Sequence, residues 1–533
     1  MGWMVRARHQ SWTVGLLLLT ALPMGCQPPG PATQVVTLSE GWEFTLGSSP
    51  SRREVPEALL DTLQSWLPAT VPGTIHTDLL ENGLIPDPFW GSNELSLQWI
   101  GWEDWNYRTT FQLPSQFLEK EGVVLLLHGL DTYAEVRLNG SVILNADNMF
   151  RSWTREVKQV LRPGENTLEI LFRSPLPPTM EARAALPYRL PAGNDRGDPP
   201  TRVFVRKAAY HFGWDWGPRL VTSGSWRPIE LVAWSGGRLT DLHLEAEEDS
   251  FHMGANAPSG PATVKAMVEF VISREEADRR MAGGNLPVKL VLSSPEGAFP
   301  DASYEMPVVA GTNTLEAQVQ IPNPRLWWPN GLGEAHLYAV EAVLDMGRRV
   351  DTLSTRFGLR KLELVTEADS IGESFFFRVN GVPVFMKGAN VIPMDHFPSR
   401  VGPEQYEGLF RDAAEANMNM LRVWGGGIYE EDVFYDFADQ YGILIWQDFM
   451  FANGMYPGDS LFLDNIRQEA TEQVRRLRTH PSLALWCGNN EMDEGWKNWG
   501  WARNYDTPED SAAVRDAYEE IFHGVLPQVV AQE

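Results

Sequence analysis

Cysteine is nearly absent. The 533 residues hold two, Cys26 and Cys487, so no disulfide framework staples the fold. Long apolar runs are missing as well, and Val14 to Leu22 is too short to span a bilayer. Positive charge is in deficit: 44 Lys and Arg stand against 70 Asp and Glu, a formal net charge of −26. That balance disfavours nucleic acid and anionic membrane surfaces as partners and fits an uncharged ligand. No phosphate loop, nucleotide fingerprint or metal-ligand spacing occurs, so no cofactor is expected.

Tryptophan, by contrast, is abundant, with 21 residues. Indole faces stack on the C–H faces of pyranose rings, and they equally fill large β-sandwich cores. A chain this long exceeds one core and implies several domains. Residues 1–26 read as an export segment: Arg6 and Arg8 are basic, a short apolar run follows, and Gly25-Cys26 resembles a bacterial lipoprotein processing site. Pro23 stands where a leucine-like residue is usual. With no disulfide to explain Cys26, the expectation is a lipid anchor there, and the alternative is secretion without one. Either way the protein is expected to be exported, periplasmic, at the cell surface or secreted. Membrane contact is expected only through Cys26.

Residues 34–236 read as all-β. Val123 to Leu127 is a buried run, and Ala134 to Leu138 alternates before Asn139-Gly140, the signal of a type I′ turn, with Ser141 to Leu144 returning. In the later loop Phe212-Gly-Trp-Asp-Trp-Gly-Pro218, three aromatics surround Asp215. From 237 to 361 the period is again two, which fits an immunoglobulin-like sandwich, with Pro324 to Pro329 as a rigid aromatic connector.

Beyond 362 the pattern changes to strand and helix in alternation. Val382 to Asn390, Met418 to Trp424, Ile443 to Asp448 and Leu483 to Trp486 read as strands. Pro403 to Asn417, Glu430 to Tyr441, Leu461 to Thr479 and Pro508 to Val530 read as helices. Such alternation predicts a parallel sheet built from crossovers. The strands end in polar or aromatic groups: Asn390, Arg422 with Trp424, Gln447 with Asp448, and Asn490 with Glu491. The apolar run Leu483 to Trp486 reads as a fully buried strand with Glu491 at its end. A carboxylate there either caps the next segment or stands at a catalytic rim.

The Asn490-Glu491 pair resembles the acid/base strand of family 2 glycoside hydrolases. Arg422-Val-Trp-Gly-Gly-Gly-Ile-Tyr-Glu430 and Phe212 to Pro218 are similar to the β-mannosidase branch of that family. The resemblance runs from about Gly41 to the last residue. It implies a multidomain fold: a jelly-roll, galactose-binding-like β-sandwich (34–236), an immunoglobulin-like β-sandwich (237–361), and the N-terminal half of an α/β (TIM) barrel (362–533). It implies a retaining exo-β-mannosidase acting on mannose-containing oligosaccharides, with Glu491 as general acid and base. Asn490 is then expected on the sugar 2-hydroxyl, Arg422 orienting the carboxylates and Trp424 lining the pocket. Trp214 and Asp215 are expected to reach in from the first domain. The family's nucleophile, a second Glu on the seventh strand, is expected beyond Glu533, since 362–533 falls short of the roughly 250 residues of a whole barrel, and the chain alone is expected to be inactive. Another exo-glycosidase of the family (exo-β-glucosaminidase or β-galactosidase type) and a non-catalytic carbohydrate-binding surface protein are the alternatives.

Overall fold

Alternating strands pair into two antiparallel sheets between residues 33 and 234. The computed structural model describes residues 30–48, 55–247, 252–253 and 258–533; residues 1–26, read above as an expected export segment ending at Cys26, lie outside them. One sheet has six strands, centred on Trp105–Leu113 and Gly164–Arg173. The other has four, with Gly122–Leu127 and Ile229–Trp234 in its middle. Trp105, Tyr107, Leu168 and Ile170 of the first sheet and Val123, Leu125, Ile229 and Leu231 of the second share one core, as strand alternation requires of two sheets facing each other. Asn139 and Gly140 both have positive φ, 51° and 81°, the geometry of the type I′ turn between Tyr133–Leu138 and Ser141–Ala146.

A second sandwich follows. Its three-stranded sheet comprises Gly237–Ala246, Ala262–Ile272 and Gly311–Ile321. A five-stranded sheet containing Val288–Ser293, Tyr338–Asp345 and Arg349–Phe357 closes over it, around a core that includes Val268, Phe270, Leu290 and Leu344.

The last part holds four parallel strands in sequential order: β1 (Gly388–Val391), β2 (Met420–Val423), β3 (Leu444–Asp448) and β4 (Leu483–Cys487). The crossovers are α1 (Pro403–Glu415), α2 (Asp432–Tyr441) and α3 (Ser460–Leu477). Three local expectations change. Val382 to Asn390 is not one strand: Val382–Val384 pairs antiparallel in a hairpin, and β1 starts afresh at Gly388 beside β2. The chain must leave one sheet for another, and Asn419 holds the break, accepting from Lys387 N and donating to Phe385 O. Strand β4 is half-buried along its whole length, because among the described residues it is the edge of the sheet, with β3 on one side only. Glu491 does not end the strand. It lies beyond it in the left-handed conformation, φ 58°, at the start of the helical turn Met492–Lys497.

The first sandwich and the parallel unit bury a common apolar cluster, in which Phe150, Tyr210 and Trp214 join Trp424, Tyr429, Phe449 and Phe451. Inside it, Arg206 grips Glu469 of α3 with two hydrogen bonds of 2.8 and 2.6 Å, and both side chains are 2% exposed. Tyr429 and Asn148 also donate to Glu469, so the buried carboxylate is fully partnered.

Candidate active site

The C-terminal ends of the four parallel strands deliver one connected set of polar side chains. Arg422, near the end of β2, donates to both carboxylate oxygens of Asp448 at the end of β3, at 3.1 and 2.6 Å. This two-point pairing fixes the guanidinium plane. The same guanidinium donates to Asn390 Oδ1 of β1 at 3.4 Å and to Asn490 Oδ1 at 3.0 Å. Asp448 also accepts from the backbone N–H of Gly425 and from the Trp446 indole. Burial pushes its carboxyl above the ordinary value, against the pull of Arg422. Burial and the nearby Asp448 charge push the Cys487 thiol up to about 11, so this cysteine is an inert thiol at neutral pH.

From Asn490 the connection continues outward. Its amide donates to Asn453 Oδ1 at 2.8 Å and to Glu491 Oε2 at 3.3 Å. The Asn453 amide donates to the same Glu491 oxygen at 2.9 Å. Asn490 is buried, whereas Glu491 is exposed. The backbone joins in: Asn490 N donates to Phe451 O and Asn453 N to Asn490 O, tying the turn after β3 to the turn after β4. Glu491 thus presents a carboxylate to solvent that is held on one oxygen by two amides.

Aromatic groups stand beside this polar set. Trp424 and Trp214 meet edge to face with centroids 4.7 Å apart, and Trp216 meets Trp424 at 6.0 Å. Trp214 and Trp424 are buried, while Asp215 and Trp216 are exposed on the same loop. The loop is closed by Trp214 N donating to Gly217 O and by pairing of Phe212 with Arg219. The structure therefore joins Arg422, Asn490 and Glu491 by hydrogen bonds and brings Trp214 against Trp424. It leaves Asp215 exposed, without a hydrogen bond to the described residues. Glu430, the last residue of the motif begun by Arg422, is buried and accepts from Tyr406 at 2.7 Å. Burial raises it to about 7.

Residues 42–227 match the family described as glycosyl hydrolase 2 galactose-binding domain-like, and residues 270–360 match glycosyl hydrolases family 2. The chain belongs to glycosyl hydrolase family 2. Within this family it is 38% identical over 505 residues to a beta-mannosidase B of Thermothelomyces thermophilus, covering 93% of this chain and 55% of that protein. It is 35% identical over 499 residues to a beta-mannosidase B of Aspergillus terreus, with the same coverage. Among solved structures, a beta-D-mannosidase from Dictyoglomus thermophilum superposes with a TM-score of 0.80 at 39% identity, covering 94% of this chain and 56% of the other. The chain spans about half the length of the curated relatives it matches.

Two residues tied to this arrangement escaped the sequence reading. Asn453 lies past the end of β3, followed by Gly454; an Asn-Gly pair is a turn signal, which hid its side-chain role. Arg202, which donates to the Ala452 and Asn453 carbonyls, lies far away in the chain, and no local pattern marks it.

Proposed function

We propose that the protein carrying this chain is a retaining exo-β-mannosidase that removes terminal, non-reducing β-mannose from oligosaccharides. The observation that carries the reading is the Glu491 carboxylate, held on one oxygen by Asn453 and Asn490 while the Arg422–Asp448 pair braces Asn490 from below. A carboxyl anchored on one oxygen keeps the other for the glycosidic oxygen, which it protonates as the bond breaks; it later takes a proton from the attacking water. Asn490 is assigned to the sugar 2-hydroxyl, Trp424 and Trp214 to the pocket wall, and Asp215 to the outer hydroxyls. Mannose as the sugar is supported by relatives named as β-mannosidases at 35–39% identity.

A retaining mechanism requires a second carboxylate as nucleophile, about 5–5.5 Å from Glu491 in the assembled site. The test is a panel of aryl glycosides offered to the full-length protein. Faster turnover of the β-mannoside than of the β-glucosaminide, β-galactoside and β-glucuronide is expected. A preference for another sugar moves the protein to a different exo-glycosidase, and binding without turnover makes it a carbohydrate-binding protein. We also propose export with a mature terminus at lipid-bearing Cys26. Intact mass of the natively expressed protein checks this, and an unmodified terminus elsewhere leaves plain secretion.

A further inference from the structure

Asn453 is gripped from the first sandwich. Its φ is 41°, a left-handed conformation that a non-glycine residue keeps only when its surroundings hold it. Gly193 N donates to the Asn453 carbonyl at 2.7 Å. Arg202 donates to that carbonyl at 2.7 Å and to the Ala452 carbonyl at 2.8 Å. Ala192 pairs with Gly454 in an antiparallel bridge, and Met455 N donates to Pro191 O. The two loops approach closely enough that a Cβ on Gly193 would stand 2.9 Å from the Asn453 carbonyl oxygen.

Arg202 is 2% exposed, and its guanidinium hydrogen-bonds neutral oxygens: the carbonyls of Gly193, Ala452 and Asn453, and the Tyr456 hydroxyl. A buried cation aimed at converging carbonyls fixes a backbone path, since each carbonyl offers lone pairs that a planar fork of donors can gather. The same guanidinium lies 5.4 Å from the Trp214 ring centroid. At its other end, the Asn453 side chain donates to Glu491 Oε2 and accepts from Asn490. One residue is thus held through its backbone by the sandwich and holds the Glu491 carboxylate through its amide.

We infer that Arg202 and Asn453 are positioning residues for Glu491: Arg202 sets the backbone of Asn453, and the Asn453 amide sets the direction in which Glu491 presents its proton. The inference rests on the reading of Glu491 as the acid/base. It makes the first sandwich a working part of proton transfer, beyond any contact with sugar.

The test uses the full-length protein and four variants: Glu491→Ala, Asn453→Ala, Arg202→Lys and Gly193→Ala. Each is assayed on β-mannobiose, whose leaving group needs a proton, and on a dinitrophenyl β-mannoside, whose leaving group does not, with Tm measured alongside. Asn453→Ala and Arg202→Lys are expected to lose at least about tenfold in kcat/KM on mannobiose and less than about threefold on the activated substrate. Gly193→Ala is expected to skew the two rates in the same sense, and it decides for the Arg202 end if Arg202→Lys does not fold. Equal losses on both substrates, or an unchanged ratio in Asn453→Ala or in the Arg202-end variant, overturn the relay. If Glu491→Ala itself slows both substrates alike, the acid/base reading is what fails.

Discussion

Trp214 and Trp424 stand edge to face, with ring planes 73° apart, although one belongs to a loop of the first sandwich and the other follows β2. The contact makes a wall from two domains. Both indoles are buried, at 5% and 8% exposure, so their orientation is set by packing before any sugar arrives. Asp215 and Trp216, on the same loop, are the groups left facing outward.

Asp215→Ala in the full-length protein is expected to lower kcat/KM on β-mannosides while leaving Tm unchanged. The carboxylate is exposed and makes no hydrogen bond to the described residues. Losing a charged acceptor for sugar hydroxyls is worth about 1.5–3 kcal/mol, roughly ten- to a hundredfold in rate. Steady-state kinetics with a thermal melt check this; unaltered kinetics would remove Asp215 from the site.

Glu491→Ala is expected to abolish turnover of natural glycosides and to spare the first step for activated aryl mannosides, because a low-pKa phenolate departs without a proton. Hydrolysis of the glycosyl-enzyme then lacks its base. Azide, which needs no deprotonation, is expected to restore turnover and to give a β-mannosyl azide, detected by NMR. No azide effect would take the acid/base role from Glu491.

Glu469→Ala is expected to destabilise the protein by about 3–5 kcal/mol, because it strands the Arg206 cation in the core. Arg206→Met combined with Glu469→Met removes both charges and is expected to cost less than the single change. Urea denaturation of the three proteins measures the difference. A single variant no less stable than the double one contradicts the expectation.

Acid is expected to loosen the seam between the first sandwich and the loop that follows β1. His76, His211 and His396 are buried there, with His211 and His396 centroids 5.3 Å apart and His76 stacked on Phe397 at 5.8 Å. Burial, mutual repulsion and Lys207 lower His76 to about 3 and hold His211 well below its usual value. Burial, with a smaller push from Lys207, outweighs Asp395 and lowers His396 to about 4. Folded-state values below the ordinary 6.5 mean that the unfolded chain takes up protons first. Stability is therefore full above about pH 6.5 and falls as pH drops through about 4 and on to about 3. His76→Phe keeps a ring against Phe397 and removes one such site. Denaturation midpoints at pH 7 and pH 5 are expected to lie closer together in that variant, and an equal gap counts against the assignment.

Much of this was legible in the chain. A continuous apolar run located Gly122–Leu127 and period-two alternation located Tyr133–Leu138, each within a residue or two, because both patterns are local properties. The polar residues at strand ends, Asn390, Arg422, Asp448 and Asn490, were also visible, since an apolar run that stops at an amide or a charge marks an end. What local pattern hides is pairing. The run Leu483 to Trp486 reads the same in a central or an edge strand; sheet order alone leaves it half-exposed. The break at Phe385–Lys387 depends on a change of partner strand. Arg202 meets Asn453 across a long loop of chain, and no window of sequence holds both.

The grip of Arg202 on the Ala452 and Asn453 carbonyls has a direction in time. A ribosome delivers the sandwich first, and domains fold as units while synthesis continues. Arg202 and its Gly193 partner are therefore synthesised before the turn after β3 whose carbonyls they hold. If Arg202 positions Asn453 as inferred, exchanging the sandwich between relatives transplants that grip as well as the Trp214 loop, and a chimera takes its Glu491 alignment from whichever parent supplied residues 191–206.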